Sequence, residues 1–135
     1  GFMSDKLFQS RRGPAAAILY AFMFLAVLVM FGWMNNAVLL GVIAVFISFC
    51  VIGVHGMLSG TATADFGGRK GAATAVGLID GLVYLGTGVQ FAALGYLTEK
   101  SWNYWPLFLI PFSIIGTAIA IGIWQALPNS KTKGK

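Results

Sequence analysis

The chain has 135 residues, 58% of them hydrophobic and 10% charged, with a mean hydropathy of +0.82 and a formal net charge of +5. A water-soluble domain carries about 25% charged residues, so this composition argues against a soluble globular domain. Cys50 is the one cysteine and His55 the one histidine, which excludes a disulfide framework, a zinc cysteine pattern and a histidine-cluster metal site. No cofactor is expected.

Residues 1–14 are polar and charged and begin at Gly1 rather than methionine, with no basic segment leading into a short apolar one as a signal peptide would have. This opening reads as part of a longer protein, continued here by its C-terminal portion. Four apolar runs follow, each near the 20 residues of helix that cross a bilayer: 15–34, 37–58, 72–97 and 105–127. Pro14 suits the first turn of the first run. Pro106 is tolerable in the first turn of the fourth, whereas Pro111 lies deeper and is expected to kink it. The loops are short and contain Gly, Asn or Ser, so consecutive helices should run antiparallel. The fold class expected is all-α membrane protein with four transmembrane helices.

Charge placement orients the spans. Lys6, Arg11 and Arg12 precede the first span, Arg69 and Lys70 separate the second and third, and Lys131, Lys133 and Lys135 follow the fourth. All of these fall on one side of a four-helix serpentine, and Lys100 falls on the other. By the positive-inside rule the first side is cytoplasmic, which puts both ends inside a cell (inner) membrane. The basic charge is thus a topology signal, and no nucleic-acid partner is expected; the partner is the lipid bilayer. Trp33, Trp102, Tyr104 and Trp105 gather at the outer interface and Trp124 at the inner one, where amphipathic rings are favoured.

Within the spans, Asp80 is conspicuous. It follows Lys70 by ten residues, which at 1.5 Å per residue is about 15 Å into the membrane, near its midplane. Tyr84, Thr87 and Phe91 share its helix face, and a second stripe of small residues, Gly77, Gly81, Gly88, Ala92 and Gly95, runs beside it. Small residues at this spacing let helix backbones approach closely. Intramembrane carboxylates usually face a water-filled path or a cation; the alternative is a buried Asp bonded to a hydroxyl or peptide group. Because no Lys or Arg lies within the four spans, a cationic partner, if Asp80 has one, is expected outside this chain. Gln90, about a third of a turn from Tyr84, is a further cavity-lining candidate. His55, late in the second span, reads as an interfacial, partly wet residue at the cytoplasmic mouth, with cavity lining as its other reading. Ser48 and Ser59 are expected to bond their own backbone, and Cys50 to act as a small apolar group. The stretch "GGRKG" at 67–71 lacks the spacing and the Lys-Ser/Thr of a phosphate-binding loop and reads as a cytoplasmic connection. Four scattered acids build no catalytic pair, triad or metal cluster, so no enzyme is expected.

The opening "GFMSDKLFQSRRGP" resembles the conserved cytoplasmic loop motif of the major facilitator superfamily, with Gly1, Asp5, Lys6, Arg11 and Arg12 in its places. The resemblance implies the C-terminal part of a twelve-helix fold, helices nine to twelve, with eight further helices as partners. The stretch "GTATADFGGRKGAATAVGLIDGLVYLGTGV" is similar to the region of helices ten and eleven in the organophosphate:phosphate antiporters, which include glycerol-3-phosphate and sugar-phosphate transporters. That resemblance implies exchange of a phosphorylated small molecule for inorganic phosphate by alternating access. It also implies substrate-binding arginines on helices one and seven, outside this chain, and a cavity lined by helices ten and eleven but not by nine and twelve. Two alternatives stand beside it: a membrane sensor of a phosphorylated ligand on the same fold, and a complete four-helix transporter of the small multidrug type. The latter relies on a glutamate in its first helix, and here the first span has no acid.

Overall fold

The computed structural model describes residue 8 and residues 11–125, with positions 61–62 and 64–70 described as backbone only. Each apolar run becomes a helix. Helix α1 spans Arg12–Gly32 and α2 spans Ala37–His55. A π-helical segment, Gly56–Ala62, leads into α3, Thr63–Lys100, and α4 spans Tyr104–Gly122. Four segments are long and apolar enough to cross a membrane: Arg12–Gly32, Ala37–Gly60, Gly71–Lys100 and Tyr104–Gly122. At 1.5 Å per residue even α4, with 19 residues, extends about 29 Å, close to the 30 Å hydrocarbon thickness. The all-α membrane fold with four spans is therefore present, and no strand occurs among the described residues.

Local chemistry fixes the first connection. Asn36 is the N-cap of α2, and its side-chain oxygen accepts a 3.1 Å hydrogen bond from the Leu39 backbone N–H, satisfying one of the orphan donors at a helix start. The connection between the second and third spans differs from expectation. Residues 59–71, including "GGRKG", are helical throughout rather than a loop. At the first residue of α3, the Thr63 hydroxyl donates to the Ser59 and Gly60 carbonyls of the π-helical segment. Pro14 and Pro106 sit in first turns and are buried, and Pro111 lies inside α4.

Helix α1 is the centre of the assembly. It runs antiparallel to both α2 and α4, packing on α2 through Met23, Val27 and Met30 against Ile43, Ile47 and Cys50. Trp105, Leu109 and Ile110 of α4 close this cluster. Nearer the start of α1, Ala15, Ala16 and Ala17 pack with Ala120 of α4 and Met57 of the π-helical segment. These close contacts matter because lipid is as apolar as leucine, so association inside a bilayer depends on shape and on small residues rather than on water exclusion. Helix α3 is the outlier: none of its most apolar 18-residue window is buried, against 39% for α1.

Candidate functional site

Asp80 is where the polar chemistry of the spans concentrates. A carboxylate near the bilayer centre costs roughly 2.5–3.5 kcal/mol on insertion scales unless something compensates it. Sequence reasoning placed a cationic partner, if Asp80 has one, outside the chain; within the chain the structure places an imidazole beside it. Oδ1 of Asp80 lies 3.7 Å from Nε2 of His55, the last residue of α2. Along a straight helix, 25 residues would separate the two by about 37 Å. The helical path between them therefore bends back, and the π-helical segment lies on that path. Irregular i→i+5 turns of this kind recur at bends and at functional sites. The sequence signal for this partner is His55 itself, the one histidine of the chain and a side chain that is cationic only when protonated.

The pair is partly accessible, with side-chain exposures of 39% for His55 and 33% for Asp80. Yet Oδ1 itself is buried and accepts no hydrogen bond. A separation of 3.7 Å exceeds the 2.7–2.9 Å of a charge-assisted N–H···O bond. It is also too short for a bridging water, which would hold the two atoms about 5–6 Å apart. A displacement of about 1 Å would make the bond direct.

The other third-span candidates do not converge on the pair in the same way. The Thr87 hydroxyl donates to the Val83 carbonyl at 2.9 Å and is engaged by its own helix. Tyr84 and Phe91 are 72% and 70% exposed. Gln90 is half-buried. A Cβ added at Gly77, Gly81, Gly88 or Gly95 would meet nothing within 4 Å, so the small-residue stripe faces no other described element. In the second span, Ser48 donates to the Ala44 carbonyl at 2.9 Å, and Cys50 is buried in the α1–α2 core, both as expected of structural groups.

Close backbone approach occurs instead at two glycines that sequence reasoning did not single out. A Cβ on Gly13 would collide with the carbonyl of Ile123, and one on Gly116 with the ring of Tyr20. Both contacts join α1 to the end of the chain's last helix. At the same end, Arg11 Nη1 donates a 2.9 Å hydrogen bond to Gln125 Oε1, and Arg12 is buried. Of the cytoplasmic-loop motif, Arg11 and Arg12 are thus placed against the helical bundle, while Gly1, Asp5 and Lys6 lie outside the described residues. Among the described residues no group of His, Cys, Asp and Glu is arranged to hold a metal ion.

At the far end of the bundle, Met34, Asn35, Leu40, Ser101, Trp102 and Trp105 line an open cleft. Trp102 and Trp105 meet edge to face there, with centroids 6.4 Å apart, and Lys100 lies 4.4 Å over the Tyr96 ring in a cation–π contact. This is an aromatic belt with a single cation, and it carries no acid–base chemistry.

Comparison with known proteins adds what geometry lacks. No family model matches the chain, and no solved structure matches it significantly. Over 131 residues it is 33% identical to a glycerol-3-phosphate transporter of Bacillus subtilis (strain 168), an alignment covering 93% of this chain and 29% of that protein. The chain therefore spans less than a third of the length of the curated relative it matches, and that relative is a transporter rather than an enzyme. The chain is an all-α membrane segment, similar along almost its whole length to part of a transporter.

Proposed function

We propose that the chain belongs to a secondary active transporter of the major facilitator superfamily, forming helices nine to twelve of its twelve-helix fold. The transporter exchanges a phosphorylated small organic molecule, of the glycerol 3-phosphate or sugar phosphate class, for inorganic phosphate. The carrying observation is the 33% identity to a glycerol-3-phosphate transporter over 131 residues. Four spanning-length helices are consistent with such a protein. Both ends of the segment face the cytoplasm of a cell (inner) membrane, as the distribution of Lys and Arg supports.

In this reading two helical bundles rock about a central site near the midplane. Cations that grip the phosphate come from the eight partner helices, because the spans here carry Arg12 and Lys100 only at their ends and no Lys or Arg in their interiors. Helix α3, unburied within this chain, lines the cavity together with α2. Asp80, Tyr84, Thr87, Gln90 and His55 are the residues through which it does so. The Gly77, Gly81, Gly88 and Gly95 stripe receives a helix of the other bundle. The segment carrying Gly1, Asp5, Lys6, Arg11 and Arg12 is the conformational motif in the cytoplasmic loop that precedes helix nine.

Full-length protein reconstituted into phosphate-loaded vesicles tests this. Radiolabelled glycerol 3-phosphate and a sugar phosphate are offered outside, with and without internal phosphate. Uptake that requires internal phosphate supports exchange. Saturable binding without uptake supports a sensor on the same fold instead and overturns the transport reading.

A further inference from the structure

We propose that His55 and Asp80 together form a proton-binding site that ties the second span to the third, and that the site takes and gives up one proton during the working cycle. Only its role in the cycle rests on the transport reading above; the site itself stands on geometry. The pair joins residues 25 positions apart across a bend, at 3.7 Å, each carried by a spanning-length apolar segment.

The charge states dictate the behaviour. With one proton shared between them the pair is net neutral, as imidazolium beside carboxylate or as neutral imidazole beside carboxylic acid. Loss of that proton to water leaves neutral imidazole beside a carboxylate, a net negative charge in the membrane, which is disfavoured until water or a cation reaches it. Deprotonation therefore accompanies opening of the site to solvent, and reprotonation accompanies closure. His55 and Asp80 are 39% and 33% exposed, and Oδ1 of Asp80 is buried without a hydrogen bond. Closing the remaining gap makes one charge-assisted bond between α2 and α3.

On its own elements the charged residues whose side chains are described are Glu99 and Lys100, about 28–30 Å further along α3; Asp65, Arg69 and Lys70 of the same helix are described as backbone only. The π-helical segment contributes no titratable side chain. From α1, which packs on that segment through Met57, the charged groups are Arg11 and Arg12 at its start; they stay cationic at any working pH. Helix α4 brings no charged residue. Histidine is the side chain suited to exchanging a proton near neutral pH.

A double-mutant cycle in the full-length protein reads the pair without reference to transport. His55→Gln, Asp80→Asn and the double variant are purified, and their thermal unfolding is compared with wild type at about pH 5.5 and about pH 8.5. At the lower pH each single variant is expected to lower the melting temperature by about 2–4 °C, with the double no lower than the worse single. At the higher pH this non-additivity shrinks. Asp80→Glu, which keeps the charge and reaches further, retains the coupling. Additive losses at both pH values overturn the proposal, as does a coupling that Asp80→Asn leaves intact. Should His55→Gln not fold, His55→Asn replaces it in the same cycle. In vesicles, the rate of glycerol 3-phosphate–phosphate exchange varies with pH in wild type beyond what titration of the substrate phosphates produces, and Asp80→Asn loses that excess dependence; an unchanged profile in that variant overturns the role in the cycle. If wild type exchanges neither substrate, the transport reading fails while the unfolding cycle still decides the pair.

Discussion

The ring of Tyr20 occupies the space that a Cβ on Gly116 would need. A tyrosine on the central helix α1 thus presses against bare backbone of α4, and the absence of a side chain at 116 sets the spacing of the two helices. This is the small-residue packing that membrane helices use in place of water exclusion.

Gly116→Ala is expected to destabilise the full-length protein by about 1–3 kcal/mol, the usual range for overpacking. The neighbour is a side chain, so it has room to yield. Tyr20→Leu removes the ring and should recover most of the loss in the Gly116→Ala background. Thermal unfolding in detergent measures both. An unaltered melting temperature in Gly116→Ala contradicts the packing described.

Gly13→Ala is expected to cost more than Gly116→Ala. Its Cβ would fall 2.5 Å from the main-chain oxygen of Ile123 and 3.0 Å from Cα of Trp124. Backbone cannot rotate away as a side chain can, so α1 and the end of α4 must separate, straining the Arg11–Gln125 hydrogen bond beside them. Comparing melting temperatures and membrane abundance of the two alanine variants checks the order; the reverse order is evidence against this contact.

The third-span glycines lead to a contrast between chain and whole protein. At Gly81 and Gly88 a side chain meets nothing within 4 Å among these helices. If that stripe receives a partner helix, Gly88→Leu and Gly81→Leu lower abundance and exchange of the full-length transporter several-fold, whereas Leu78→Ala on an exposed position changes them little. Normal abundance and exchange in both leucine variants would place the stripe against lipid.

Orientation is tested by single cysteines. If both ends are cytoplasmic, as proposed, a cysteine at position 70 is shielded from membrane-impermeant reagent in intact cells, and one at position 100 is labelled. Labelling at 70 from outside reverses the topology read from the lysines and arginines.

The spans were legible because apolar runs of about 20 residues have few other uses, and Asn36, Pro14 and Pro106 sit where helix starts favour them. Cys50 and Ser48 also behave as their chemistry suggested. What could not be read is what depends on relations between helices. Hydropathy records which residues avoid water but not which helix they meet in lipid. The stripe at 77–95 therefore looked more like a packing face than the isolated Gly13 and Gly116, which make the tight contacts. Nor does composition reveal a bend: "GGRKG" carries loop-like residues, yet its backbone stays helical. With the fold-back hidden, His55 and Asp80 read as separate residues at different depths, and their approach was invisible.

Tyr20 and Gly116 are 96 residues apart, and that separation has a temporal meaning. Protein chains are made at about 5–20 residues per second, so roughly 5–20 s pass between synthesis of the ring and synthesis of the glycine that receives it. Through that interval α1 must wait in the bilayer with the face meant for α4 against acyl chains, a tolerable state because those chains are as apolar as the eventual partner. Assembly is thus not strictly vectorial: the first helix made here takes its final position only when the last arrives, and a ribosome stalled after Lys100 would leave the centre of the bundle without one wall.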